Sequence, residues 1–418
     1  MRVTVSGGRD DPGGGRGARD PDGAGAAAPT TIAGVSVLPG TEHQPHARAV
    51  LARALPRTAA DGSPVAGDPS HAYLFQGPPG SGKRTVARAL ATALLAESSD
   101  GRSADLDAVA SRVERLSHPD LTWVRPTGGI MRKEDVDEAV VQAVSGRPFE
   151  AERRVFVLES AHAMNDTAAN RLLKTLEEPP DYVVLVLLSE RPGELLTTIR
   201  SRCQDVRFDA LPEAALARGL EKDLGADPRT AVACARLGLG DALLARALAG
   251  PDGAPMRAAA EAVARHALHA VPGQPPFKAM ADAAADRGKA AGAAVEADAK
   301  AVAERLPDRE RRRVERDAKD DAKRAVRRER TAALDVSLRL CGLWFRDAAS
   351  VAVGAEGTVH HVDRLPQLRE DASRADVHRL LRCVDVVDET RRSLRRNASE
   401  ELQLDAMSVR LAATLARR

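Results

Sequence analysis

A chain of 418 residues with 62 basic and 60 acidic side chains carries no global field that demands a nucleic acid or a membrane, and no apolar run is long enough to span a bilayer. Its four cysteines form no CxxC pair and its ten histidines show no ligand spacing, which argues against a disulfide framework or a zinc site and for reduced thiols in the cytoplasm. Aromatic residues make up only 2%, so the cores must be built from Ala, Leu and Val, as suits closely packed helices. Residues 1–30 offer almost nothing to bury and no apolar signal segment, and read as a disordered tail. Val35–Leu38 is a short apolar entry, and Glu42–Leu55 places Ala47, Val50, Leu51 and Leu55 on one helical face. A polar loop over Ala59–Ser70 follows.

The next stretch, His71–Leu95, organises the chain. Ala72–Phe75 fits a buried strand, Gly77–Gly82 a glycine-rich turn, and the residues after it a helix with Val86, Ala89, Leu90 and Ala93 inward. Strand, glycine loop and helix with Lys83 at the helix start form a phosphate-binding loop. Gly77, Gly80 and Gly82 leave backbone N–H groups free to surround a phosphate, and Lys83 adds a full positive charge to that of the helix N-terminus. The following position needs a Ser or Thr hydroxyl for Mg²⁺, and here it is Arg84. Thr85 lies about 100° further round the helix. The spacing predicts a loop that can receive a nucleotide and is badly equipped to hydrolyse it.

Four more strands are expected, at Leu121–Val124, Arg154–Leu158, Tyr182–Leu188 and Asp205–Phe208. Helices should intervene at Leu106–Leu116, Lys133–Ser145, Thr167–Glu178 and Gly193–Ile199, the third capped by Asn165 or Asp166 and stopped by Pro179–Pro180. This alternation predicts a three-layer α/β domain with a parallel sheet over residues 31–208. Beyond Pro212 the pattern is helical: a small lid over residues 209–250 (Glu213–Leu224, Pro228–Leu237, Asp241–Ala249), a linker at Gly250–Pro255, a charged segment over 251–330 and a C-terminal helical domain over 331–418. Glu304–Arg330 holds 12 basic and 8 acidic residues and reads as a solvated helix laced with i,i+4 pairs rather than a nucleic-acid patch. His360 and His361 are adjacent and read as surface residues.

The chemistry-bearing positions lie between the third and fifth strands. A phosphate-loop ATPase should end its third strand in Asp-Glu, to support Mg²⁺ and polarise water; this chain has Glu159-Ser160, and Ser160 is no base. Ser189 ends the fourth strand, where a polar group can sense a terminal phosphate or simply satisfy local backbone. Ser201-Arg202-Cys203 precedes the last strand.

AANRLLKTLEEPP (Ala168–Pro180) followed by TTIRSRC (Thr197–Cys203) resembles the clamp-loader subunits of bacterial DNA polymerase III, which are AAA+ proteins. SHAYLFQGPPGSGK (Ser70–Lys83) and HPDL (His118–Leu121) are similar to that family too. The resemblance covers about Ser70–Phe208 and implies an AAA+ domain, a helical lid and an all-helical C-terminal collar for oligomerisation. Arg84, Ser160 and the alignment of Gly240 with a lid arginine point to the non-hydrolysing delta-prime type rather than the gamma/tau type. The resemblance makes Arg202, within Ser201-Arg202-Cys203, an arginine finger acting in trans on a neighbour's ATP. It implies gamma/tau and delta subunits as partners, with the sliding clamp and primed DNA reached indirectly. No cofactor is required, ATP binding stays open, and the zinc module common in this type is missing from Ala96–Ser117. The alternatives are an active gamma/tau-like ATPase and, more remotely, a small-molecule kinase.

Overall fold

The structure, a computed structural model, describes residues 30–32, 35–55, 57–58, 64–65, 67–97, 105–126, 131, 133–271, 273, 276–304, 307–394 and 399–416. The tail expected over residues 1–30 lies outside them except for Thr30. Four short antiparallel strands, β1 (Thr30–Ile32), β2 (Val35–Val37), β3 (Arg57–Thr58) and β4 (Pro64–Val65), form a small sheet that the sequence pattern did not announce. Helix α1 (Pro45–Leu51) is shorter than the Glu42–Leu55 expected, because Pro45 takes the first helical position and a 3₁₀ turn over Ala52–Ala54 ends it.

Five parallel strands make the main sheet: β5 (Ala72–Gln76), β6 (Leu121–Val124), β7 (Arg154–Leu158), β8 (Val183–Ser189) and β9 (Gln204–Arg207). Their order is β6-β7-β8-β5-β9, so the strand before the phosphate loop sits between β8 and β9. Successive side chains point to opposite faces. Tyr73, Phe75, Val155 and Val157 enter one core with α2 (Lys83–Leu95) and α3 (Leu106–Glu114). Ala72, Leu74, Phe156 and Leu158 enter the other with α4 (Lys133–Val136), α5 (Asp166–Glu177) and α6 (Thr197–Arg200). This is a three-layer α/β domain with a parallel sheet, as expected. Asn165 caps α5, its side chain accepting from the Ala168 N–H. The helix expected over Lys133–Ser145 begins as α4, widens to a π-type turn over Asp137–Val141 and closes as 3₁₀ over Ala143–Ser145. Val136, Val140 and Val144 nonetheless stay buried.

The lid is α7 (Glu213–Leu224), α8 (Pro228–Gly238) and α9 (Ala242–Ala249). After it come α10 (Gly253–Leu268), α11 (Phe277–Ala303), α12 (Asp308–Ala352), α13 (Leu365–Ala372), α14 (Val377–Leu394) and α15 (Glu400–Ala416). Lid and collar share one apolar core that runs from Leu216 and Leu248 through Trp344 and Leu380 to Leu411. Gly250–Pro255 is therefore no separating linker; α10 starts inside it, with Gly253 packed against the Leu248 carbonyl. The division expected near Arg330 is also absent, because α12 is one helix of 45 residues. Its second half carries Leu334, Leu338, Trp344 and Phe345 into the collar, while its first half packs along α11 through Ala318, Ala322 and Ala325.

His360 and His361 are not surface residues. Both backbone N–H groups donate to Asp347, and both Nδ1 atoms lie within 2.9 Å of its carboxylate, which is fully buried. Adjacent residues can share this partner because they sit in a turn that wraps around it, not on a helix.

Candidate functional site

The phosphate loop follows β5 as its sequence requires. A Cβ on Gly77 would meet the Phe208 carbonyl oxygen at 2.3 Å, and Gly80 and Gly82 hold φ of +63° and +89°, where glycine is favoured. Lys83 opens α2 and its Nζ donates to the carbonyls of Gly77 (2.9 Å) and Pro78 (2.6 Å). Burial lowers its pKa to about 8, only partly offset by the charges of Glu190 and Asp241. Gln44, fully buried just before α1, ties the loop down. Its Nε2 donates to the Ser81 carbonyl at 3.0 Å and the Asp209 carbonyl at 2.9 Å, while its Oε1 accepts from the Asp209 N–H.

The metal position has a different occupant. Arg84 Nη2 lies 2.6 Å from Glu159 Oε2 at the end of β7. Trp123 Nε1 donates to the other oxygen at 2.6 Å, and Arg125 Nε lies 3.1 Å from it. Glu159 is thus buried among three donors, two of them cationic, and each of its oxygens is already engaged. Arg84 offers no lone pair to a cation, so the residues present do not fit Mg²⁺. Ser160, beside Glu159, adopts a left-handed conformation (φ +49°) and lines the cavity without an acidic function.

A cavity of about 600 Å³ opens between the loop and the lid, lined by Lys83, Arg84, Thr85, Glu159, Glu190 and Arg246 among others. Helix α9 covers the loop from above. The Ala242 N–H donates to the Gly80 carbonyl at 3.2 Å, and a Cβ on Gly80 would lie 1.9 Å from Asp241 Oδ1. Gly240 does not face the cavity; its bare side packs on Ala210. The lid residue that reaches inward with a guanidinium is Arg246, six positions on, which pairs with Asp223 at 2.9 Å. Ser189 is fully buried, its Oγ accepting from the Arg191 N–H and lying 3.3 Å from His162 Nδ1. It serves local structure there and is not among the lining residues.

Ser201, Arg202 and Cys203 lie at the other end of the sheet. β9 runs parallel to β5 with Tyr73 opposite Gln204 and Gln76 opposite Arg207. The loop leaves the last residue of β5, whereas Arg202 precedes the first residue of β9, so at least the strand length of roughly 13 Å separates the two levels. Arg202 has partners within the chain. Its Nη2 lies 2.8 Å from Glu177 Oε1 at the end of α5, and its Nη1 donates to the Thr198 carbonyl at 3.0 Å. The guanidinium remains partly exposed. Ser201 Oγ donates to the same Thr198 carbonyl, and Cys203 is packed inward, burial raising its thiol pKa to about 12.

A family model described as DNA polymerase III, delta subunit, matches residues 62–212. Over 156 residues the chain is 36% identical to DNA polymerase III subunit delta' of Bacillus subtilis, covering 37% of this chain and 47% of that protein. It is 39% identical over 137 residues to subunit delta' of Pseudomonas aeruginosa, covering 32% and 42%. Residues 62–212 are thus similar to DNA polymerase III delta-prime subunits. Subunit tau of B. subtilis is also similar, 30% identical over 161 residues, 38% of this chain and 28% of that one. The chain thus spans less than half the length of these relatives. The matched residues contain the phosphate loop, Glu159, Ser189 and Arg202, and stop before α7; the lid, the arm that α11 and the first half of α12 form, and the collar lie beyond them.

The HPDL motif (His118–Leu121) has a structural basis. Asp120 is buried and accepts the backbone N–H groups of Phe149, Glu150 and Ala151, shaping the approach to β7. Sequence reading missed Gln44, Trp123, Arg125, Asp241 and Arg246. Among them only Arg246 carried a signal, as a basic residue on the last lid helix.

Proposed function

We propose that this chain is a clamp-loader subunit of DNA polymerase III that does not hydrolyse ATP itself and supplies Arg202 in trans to a gamma/tau neighbour. The observation that carries this reading is the Arg84–Glu159 pair at 2.6 Å, which puts a guanidinium where an ATPase needs Mg²⁺ and its ligands. Without metal or base, the loop retains what phosphate binding needs: Lys83, the glycine amides and the start of α2. Nucleotide held there would serve as a structural ligand, with neither zinc nor Mg²⁺ required.

The position of Arg202 supports the second half. An arginine at the opposite end of the strands from its own loop is held away from that loop, and a residue on the domain surface can meet a neighbour's. Glu177 would hold the guanidinium extended until a triphosphate replaces it as partner. A planar, permanently charged fork suits two phosphate oxygens better than an ammonium does. Such fingers raise turnover by about 10³–10⁵. In this reading the collar joins gamma/tau and delta subunits in a cytoplasmic ring that places the sliding clamp on primed DNA. The test is ATP turnover by the purified chain alone: none above about 1 s⁻¹, the low end of ordinary enzyme rates, is expected. Faster turnover would assign the chain to the hydrolysing gamma/tau-like class.

A further inference from the structure

The first half of α12 carries a row of cations that neither the collar nor the phosphate-loop site uses. Arg312, Arg316, Lys319, Lys323 and Arg327 succeed one another at spacings of 4, 3, 4 and 4 residues. At 100° per residue these positions fall within about 80° of arc, in a straight line roughly 22 Å long with a charge every 4.5–6 Å. All five are exposed. The inner side of the helix is fixed against α11, where a Cβ on Gly288 would meet the Val326 carbonyl oxygen at 2.7 Å, so the arm is tightly packed and the row faces outward.

Other cations of the arm pair with acids. Arg287 pairs with Glu329 at 3.1 Å, Arg324 with Asp321, and Arg330 with Glu400 at 2.6 Å. Among the described residues, Arg312, Arg316 and Lys319 meet no acidic side chain at ion-pair distance, and Lys323 reaches only the solvent-exposed Asp320, at 3.2 Å.

We propose that this row is a docking surface for the phosphate backbone of duplex DNA. The row offers charge alone. It presents no apolar anchor of the kind that carries protein interfaces and no aromatic ring on which single-stranded bases stack. The apolar side of α12 is buried, so nothing remains to enter a lipid surface. A rigid line of evenly spaced cations matches the regular negative charge of a duplex strand, where neutralised phosphates release counterions. The surface needs no nucleotide and no ring, and stands independently of the role given to Arg202.

The test is fluorescence anisotropy of the full chain with a labelled mixed-sequence duplex of about 30 base pairs and the matching single strand, from roughly 50 to 200 mM salt. Four to five phosphate contacts give a log–log salt slope near −4. Arg312→Glu/Arg316→Glu/Lys319→Glu should weaken duplex binding by more than about tenfold and bring the slope toward about −1. A control with three exposed cations changed elsewhere on the arm, Lys289→Glu/Arg324→Glu/Arg328→Glu, should keep affinity within about threefold and the slope near its original value. Circular dichroism checks that both variants retain their helix. Equal losses in the two variants, no loss in either, or tighter binding to the single strand would overturn the proposal. So would row-dependent capture by anionic vesicles in place of the duplex.

Discussion

Arg84 Nη2 stands 2.6 Å from Glu159 Oε2, joining the residue that replaces the metal's hydroxyl ligand to the acid that should face the metal. One residue therefore offers a cation in place of a hydroxyl and pairs with the acid. Labelled ATP should bind the wild-type chain equally with Mg²⁺ or with chelator. Arg84→Ser frees one oxygen of Glu159 and restores the hydroxyl, so its binding should tighten about tenfold on adding Mg²⁺, a difference near 1.4 kcal/mol. A wild-type affinity that rises with Mg²⁺ by that amount would contradict the occupied-site reading.

Lys83 provides the pH signature of the loop. With a pKa lowered to about 8 by burial, it is about nine-tenths protonated at pH 7 and about one-tenth at pH 9. Only the ammonium form attracts phosphate, so ATP affinity should fall as pH rises through 8. Lys83→Met should bind weakly at every pH and lose the dependence. Isothermal titration across pH 7–9 reads both; a wild-type profile as flat as that of the variant would show that Lys83 does not face the ligand.

Gln44 tests how the loop is held. Ala in its place leaves two carbonyls and one N–H without their side-chain partner in a fully buried site. Gln44→Ala should cost about 2 kcal/mol in urea unfolding, since each buried unsatisfied group costs about 1–3 kcal/mol and water can relieve part of it. Gln44→Glu keeps the acceptor but replaces the donor of two bonds with a buried charge, and should cost at least as much. A loss below about 0.5 kcal/mol in either variant, the range of ordinary surface changes, would mean that α1 does not anchor the loop.

The collar has its own pH behaviour. Burial alone would raise the pKa of Asp347, but hydrogen bonds from His360 and His361 outweigh it and hold the carboxyl far below its ordinary value. A depressed folded pKa contributes stability that is complete above the unfolded value of about 3.9 and fades as pH falls below it. Asp347→Asn should therefore destabilise the chain at pH 5, and the gap from wild type should narrow below about pH 4. Urea unfolding at these pH values measures it; a gap that widens as pH falls below 4 would contradict the assignment.

Much of the α/β domain was legible in the sequence because buried parallel strands are continuous apolar runs, and Ala72–Phe75, Arg154–Leu158 and Tyr182–Leu188 read as such. The loop was legible through its glycines. The positions missed act through distant partners. Gln44 meets Asp209 across 165 residues, and Trp123 meets Glu159 from a neighbouring strand. No local period encodes such contacts. The break expected near Arg330 came from a change of composition, from Ala and charge to Leu and aromatics; α12 simply passes from arm to collar at that point. The Arg202–Glu177 pair was not legible either, because Glu177 ends a helix 25 positions earlier in the chain.

The trans role of Arg202 is tested most directly by ATP hydrolysis in a reconstituted clamp-loader complex, stimulated by clamp and primed DNA, with this chain either wild type or Arg202→Ala. An exposed ion pair contributes little to stability, so the variant should assemble normally by gel filtration. Its complex should nonetheless turn over ATP more slowly, losing the contribution of the one site that faces this subunit, and Arg202→Lys should restore little. Unchanged turnover in the fully assembled Arg202→Ala complex would contradict the trans role and leave the chain a structural member of the ring.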